Sequence, residues 1–345
     1  MIVKNEAHVI QRCLRSVKPF IDSYSISDTG STDNTMELIR EELVGMPGVL
    51  TSDPWQDFAT NRNLALSRCT GDYILTIDSD DTLEYTGPMD DQSPPIELSP
   101  EYDSFQIRLF FPTFFYWQTK IIRNDPRWKW EGKVHEVLMF DGNAVTGRLD
   151  NLSMRIVGDG NRSQLGDKSL RDLAVLENDE PTPRNVFYHA QTLWDLGRYE
   201  EAAKKYYERA AMGGWEEEVY YSLWRGAESL NILERPLDEV GSALFRAYLY
   251  RPARREALNS LCRVLRLANR WEECYLLSSI AHEPPASDVL FLDTNAEWLI
   301  LEEHALAAWY LGKKEESHEY FLRVAEYDLP DNARERTNEN LSYFS

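Results

Sequence analysis

The stretch Gly71-Asp-Tyr-Ile-Leu-Thr-Ile-Asp-Ser-Asp-Asp81 decides how the chain is read. Its apolar run from Tyr73 to Ile77 is short, rich in aromatic and branched residues, and follows a Gly-Asp turn. That pattern predicts a buried strand. The strand runs out into two carboxylates at i and i+2, Asp78 and Asp80. In parallel α/β sheets, ligands gather at the carboxyl ends of strands, so the position of this pair matters more than its composition. Two acids so placed can share one divalent cation and one sugar nucleotide. Hard oxygen donors suit Mg2+ or Mn2+, and the cation in turn neutralises a diphosphate.

Working outward, the same punctuation recurs upstream. Tyr24-Ser-Ile-Ser predicts a strand, Asp28-Thr-Gly-Ser-Thr-Asp33 a turn, and Thr35 to Leu43 an amphipathic helix. A further helix from Phe58 to Arg68 carries Asn61-Arg62-Asn63. Strand, turn, helix and strand in this rhythm predict a mostly parallel sheet with helices on its faces. Asp28, at a strand end, can accept the N–H of a uracil or a similar base. Arg62 and its neighbours can hold phosphate or orient the acidic motif. Met1-Ile-Val-Lys-Asn-Glu6 reads as a strand end with a polar tip. Asp33 is expected to cap the helix from Thr35, since D-x-T before an amphipathic run is cap chemistry. Asp81 is expected to serve a turn.

From Phe105 to Phe140 the texture changes to aromatic strands, the last running from Lys133 through Val134, His135, Glu136 and Val137. Trp128 and Trp130, close to His135, are candidates for stacking on a sugar face. The proline-rich stretch Met89 to Pro100 reads as a surface loop, and Gly158-Asp-Gly-Asn-Arg-Ser-Gln-Leu-Gly-Asp as a boundary.

After Lys168 nearly everything reads as helix. Leu196-Gly-Arg-Tyr-Glu-Glu-Ala202, Asn269-Arg-Trp-Glu-Glu-Cys274 and Leu311-Gly-Lys-Lys-Glu-Glu-Ser317 repeat one phrase, with a weaker copy near Arg235-Pro-Leu-Asp-Glu-Val240. The first interval equals about two 34-residue tetratricopeptide units. Each glycine should end a first helix, and each small residue should let the second pack closely. Tyr206, Phe245 and Phe321 should fill the groove between units.

The whole chain has 345 residues, 43% of them hydrophobic, which gives material for about two cored domains. With 37 basic against 58 acidic side chains the net charge is −21, so duplex nucleic acid is a poor electrostatic partner. No apolar run approaches the length of a membrane span. Four widely spaced cysteines without a C-x-x-C unit read as reduced thiols in a cytoplasmic protein, with no zinc site.

Taken in order, M-I-V-K-N-E, D-T-G-S-T-D-N-T, N-R-N-L-A-L, G-D-Y-I-L-T-I-D-S-D-D and W-K-W-E-G-K-V-H-E resemble the family-two glycosyltransferases of the GT-A fold. With L-G-R-Y-E-E-A in a helical tail, they are similar to the subgroup that carries tetratricopeptide repeats. The resemblance implies a GT-A domain over 1–157, a linker over 158–167 and a tetratricopeptide-like domain over 168–345. It implies an inverting, metal-dependent transfer from a nucleotide-sugar, UDP-linked, to an acceptor hydroxyl. By position, Asp28 and Glu6 match the base-binding strand ends, Asp78 the acid near ribose or metal, and Asp80 the metal ligand. Arg62 matches a neighbour of the diphosphate, His135 a metal or phosphate ligand, and Glu136 or Glu131 the general base. Many relatives place a further histidine just before the 158–160 turn, whereas this chain has none between His135 and His189. A glycan, a protein or, less readily, a modified base of nucleic acid stands open as acceptor, and for the helical domain acceptor binding and the pairing of protomers both stand open. An inactive repeat scaffold is the rival from another class. A nucleotidyltransferase is disfavoured because no Gly-rich basic loop stands near the amino end.

Overall fold

The computed structural model describes residues 1–87, 96–111, 114–161, 168–281, 292–293 and 295–344. Positions 88–95 of the proline-rich stretch, 162–167 of the expected linker and His282 lie outside them. The chain divides into two compact units, Met1–Val175 and Leu176–Ser345.

In the first unit, β1 (Ile2–Val3), β2 (Tyr24–Asp28) and β3 (Gly48–Ser52) form a parallel three-stranded sheet with β2 central. Their connections are α1 (Ile10–Val17) and α2 (Thr35–Glu42). Helix α1 buries Ile10, Cys13, Leu14 and Val17, a spacing of three and four that puts all of them on one face. Ile10 and Leu14 pack with Val3, Ile26, Ile39 and Leu43, while Cys13 and Val17 join a second cluster with Ile77, Phe105, Ile107 and Met154. One helix thus glues two layers.

The second layer joins β4 (Tyr73–Leu75), β7 (Phe114–Arg123), β6 (Ser104–Phe110), β10 (Thr146–Arg155) and β5 (Thr82–Tyr85), in that order. Only β6 and β10 are parallel in it; β4–β7, β6–β7 and β5–β10 run antiparallel. The expected mostly parallel sheet is therefore corrected to a mixed one. The cause is local: three residues separate β6 from β7, too few for a crossover, so the strand must return antiparallel. Strands β8 (Trp128–Glu131) and β9 (Val137–Phe140) form a separate hairpin, with Glu131 opposite Val137. Helix α3 (Phe58–Ser67) is started by Asp57, whose carboxylate accepts the Thr60 N–H at 2.7 Å.

Helix α4 (Lys168–Leu176) precedes an array of antiparallel pairs: α5 (Pro183–Asp195) with α6 (Tyr199–Ala211), α7 (Glu216–Ile232) with α8 (Leu237–Tyr250), α9 (Glu256–Leu267) with α10 (Trp271–Ser278), and α11 (Ala296–Tyr310) with α12 (Lys314–Ala325); α13 (Asp331–Ser342) follows. Four turns inside the pairs are built alike. Gly197, Glu234, Asn269 and Gly312 all have a left-handed φ, between 53° and 77°. In each, the N–H of the next residue bonds back to the carbonyl five positions earlier, as in Arg198 to Leu193 and Arg270 to Leu265. Ala202, Cys274 and Ser317 are fully buried where close packing was expected, and Tyr206 and Phe321 fill the core. Phe245 does not: it is exposed, and Leu244 and Tyr248 on the same helix take the interior. No helix among the described residues is long and apolar enough to cross a membrane.

Candidate active site

The site is built on the carboxyl ends of β1, β2 and the strand before Asp78. Asp28 is the last residue of β2, opposite Val3 of β1. Its Oδ2 accepts the N–H groups of Gly30 (3.1 Å) and Ser31 (3.0 Å), which folds the turn after the strand back onto it. Gly30 has φ 106°, a conformation that favours glycine. The other oxygen, Oδ1, is buried and has no hydrogen-bond partner among the described residues. The whole residue is 1% exposed. A buried acceptor left open is costly unless something supplies a donor.

The turn 28–35 is knitted to the tip of β1. Thr32 N–H donates to Asn5 Oδ1, Asn5 N–H to Ser31 Oγ, and Glu6 N–H to Thr35 Oγ1 at 2.8 Å. Asp33 accepts from the Thr35 amide and hydroxyl, and also from Ala7 N–H, so it closes the turn before α2 and ties it to β1. Glu6 is buried, and burial pushes its carboxyl up to about 7.

Arg62 on α3 is the hub of the opposite side. It donates from Nη2 to Asp78 Oδ1 and from Nε to Glu136 Oε1, both at 2.6 Å, and its guanidinium lies 4.9 Å from the centre of the Trp130 ring. Burial alone would lower the affinity of Arg62 for its proton, but the two carboxylates raise it. For Asp78, desolvation works upward and Arg62 outweighs it, so the carboxyl is held low. Asp81 behaves oppositely: it is 3% exposed, and burial, with Asp78 beside it, raises it. Asn63, one residue from Arg62, holds Trp130 twice, accepting its N–H at 2.8 Å and donating to its carbonyl at 2.9 Å. Asn61 instead supports the preceding loop through Gln56 and Pro54. Within this tripeptide the bond to the acidic motif is made by Arg62.

Asp80 Oδ2 accepts the N–H of Gly160 at 3.0 Å, and Glu6 Oε2 that of Asn161 at 3.2 Å, so the two acids are neighbours across one peptide. Arg12 was not singled out by any motif, and Asp159 and Gly160 were read only as part of a boundary turn; their bonds are through backbone or at long sequence separation, which spacing does not reveal. Two sequence expectations are corrected here. His135 and Glu136 lie not on a strand but in the turn 132–136 between β8 and β9, where Gly132 has φ 101° and His135 φ 51°. Trp128 is buried against Phe140, Ile74 and Ile122, so it is core and not a sugar platform. Asp81 does close a turn, its N–H donating to the Asp78 carbonyl at 3.3 Å, and it is also a buried acid. Glu131 ends β8 and is exposed.

Asp78 and Asp80 are hard oxygen donors of the sort that hold Mg2+ or Mn2+ through one or two carboxylates with the remaining positions left to phosphate oxygens and water. Among the described residues no three His, Cys, Asp or Glu side chains converge as a metal cage. A cavity of about 670 Å3 opens elsewhere, under Arg62 and lined by Tyr24, Ala65, Cys69, Tyr73 and Trp130; the acids at 6, 28, 78 and 80 do not line it.

Residues 1–86 match the family described as glycosyl transferase family 2. The matched segment is the amino-terminal quarter of the chain. The chain shares 41% identity over 83 residues with a TPR repeat-containing protein of Synechococcus elongatus, covering 24% of this chain and 20% of that one. The glycosyltransferase SunS, derived from the SPbeta prophage of Bacillus subtilis, is 25% identical over 218 residues, covering 59% of this chain and 50% of SunS. The chain thus spans half or less of the length of these curated relatives. Among solved structures, MamA covers 50% of the chain at 14% identity with a TM-score of 0.38. The family 2 segment contains Glu6, Asp28, Arg62, Asp78 and Asp80, whereas His135 and Glu136 lie beyond it.

Proposed function

We propose that the first unit is an inverting glycosyltransferase of the GT-A class that takes its sugar from a nucleotide-sugar, UDP-linked, and passes it to an acceptor hydroxyl. The observation that carries this reading is Asp28: a buried carboxylate oxygen without a partner, at a strand's carboxyl end, in a segment of family 2. The N–H of a uracil is a donor of the right kind for it. Glu6, knitted to the same turn, borders the base-binding side. Asp80, with Asp78, would hold a divalent cation, which when bound supplies positive charge to stabilise the leaving diphosphate.

The chain's own residues divide the remaining work. Inversion requires a base on the face of the sugar opposite the nucleotide, within hydrogen-bond reach of the acceptor hydroxyl. Glu136 is the better candidate, because Arg62 fixes one of its oxygens and leaves Oε2 to take the proton. Arg62 keeps Asp78 ionised while doing so. Exposed Glu131 has no such support. His135, in the same turn, is a candidate phosphate ligand. The helical array would bind or orient the acceptor.

Incubation with UDP-glucose and Mn2+ tests the proposal. Slow UDP release, or a rise in melting temperature with UDP and Mn2+, is the expected result. If no common nucleotide-sugar gives either response, the transferase reading fails.

A further inference from the structure

We infer that residues 158–161 form a strap that competes with a divalent cation for Asp80, latched in place by Arg12 of α1. The inference rests on the proposed role of Asp80 and adds to it a built-in means of holding the site closed.

Five pairwise contacts carry it. Gly160 N–H donates to Asp80 Oδ2 and Asn161 N–H to Glu6 Oε2, so two successive peptide donors occupy one oxygen of each acid. Arg12 grips Asp159 through both terminal nitrogens, at 2.8 and 2.6 Å, and Nη2 also reaches the Asp80 carbonyl at 2.9 Å. His8 Nε2 lies 2.9 Å from the Asp159 carbonyl oxygen. The fit is close enough that a side chain at 160 would make its neighbours shift. A Cβ there would stand 2.9 Å from Asp80 Oδ2 and 3.3 Å from Glu6 Oε2.

The chemistry is a competition for one carboxylate oxygen. A carboxylate that accepts a peptide N–H is partly neutralised by it, and hydrogen bonds to charged groups are the stronger ones. A cation that takes Asp80 Oδ2 competes with the Gly160 amide for that oxygen's charge and so weakens the hold of the strap, whose next amide pairs with Glu6. The latch itself is half-exposed, with Arg12 41% and Asp159 39% accessible, so it is an ion pair that water and salt can open. That suits a strap meant to release. Arg12 and Gly160 are accordingly positioning residues, with no contact to substrate required.

The experiment uses Mn2+ alone as the probe on the full chain. Asp159→Ala removes the latch while leaving Arg12 on the Asp80 carbonyl, and Gly160→Ala pushes the strap off by its added methyl. Each should bind Mn2+ roughly tenfold more tightly than the parent in a calorimetric or paramagnetic titration. In the parent, saturating Mn2+ should speed hydrogen exchange at the Gly160 and Asn161 amides, a measurement that needs no variant to fold. If parent and variants bind Mn2+ equally and those amides do not respond, the strap is wrong and the transferase proposal stands. If Mn2+ binds none of the proteins, the cation role of Asp80 fails first and the strap falls with it.

Discussion

Arg62 and Glu136 meet at 2.6 Å, Nε to Oε1, with each side chain only 12% exposed. The same guanidinium holds Asp78, so three charged groups share one network with a net charge of −1. Arg62→Ala leaves two acids facing each other without the cation that joins them. The expected loss of stability is about 2–4 kcal/mol, below the range for a fully buried pair because Asp78 is 41% exposed. Arg62→Lys should recover little, since an ammonium cannot reach two carboxylates in the planar geometry the guanidinium uses. Urea unfolding of the two variants checks both points; a lysine variant as stable as the parent would count against the bridging role.

The same pair separates the candidate bases. Glu136→Gln preserves shape and removes the proton acceptor, so turnover should fall by about 10²- to 10⁴-fold while affinity for UDP is unchanged. Glu131→Gln, at an exposed strand end, should leave both quantities alone. Steady-state kinetics with UDP titrations reads the two effects separately. A reversed outcome would move the base to β8.

A loss of stability toward neutral and higher pH follows from Glu6. Burial raises its carboxyl in the folded protein from an ordinary 4.5 to about 7. Between those values the folded state holds a proton that the unfolded chain has released. Stability is then fully present below the lower value and is lost as pH rises through the upper one. Asp81, also raised by burial, acts in the same sense. The melting temperature should therefore drop between pH 5 and pH 8, and Glu6→Gln should flatten that drop. A parent protein that grows more stable over this interval would contradict the assignment.

Much of this site was legible along the chain because its acids follow strands. The apolar run before Asp78 and the one before Asp28 announce the carboxyl ends on which both residues sit. What stayed hidden has physical reasons. Strand β10 reads Thr-Gly-Arg-Leu-Asp-Asn-Leu-Ser-Met-Arg, with too little alternation to predict, and it is held by pairing with β5 and β6 some 40 to 70 residues away. The Gly158-Asp-Gly-Asn stretch reads as a boundary because its contribution to the site is made by peptide N–H groups, which no side-chain motif displays. Trp128 was misjudged because proximity in sequence to His135 does not tell which side of a hairpin faces the core.

The helical array shows the same limit in a form that can be measured. Gly197 and Gly312 mark two of the four left-handed turns openly, but Glu234 and Asn269 adopt the same backbone with side chains that resist it. The repeat was faint near Arg235 for this reason: the conformation is conserved within the array while the residue that signals it is not. A left-handed residue with a Cβ costs about 1–2 kcal/mol, and asparagine tolerates the region better than glutamate. Glu234→Gly should therefore stabilise the protein by about 0.5–1 kcal/mol after the added freedom of the unfolded chain is subtracted, and Asn269→Gly by less. Gly197→Ala and Gly312→Ala should each destabilise by about 1 kcal/mol. Chemical denaturation of the four variants gives the order directly. If Glu234→Gly destabilises, contacts of the glutamate side chain outweigh its backbone strain and the equivalence of the four turns is lost.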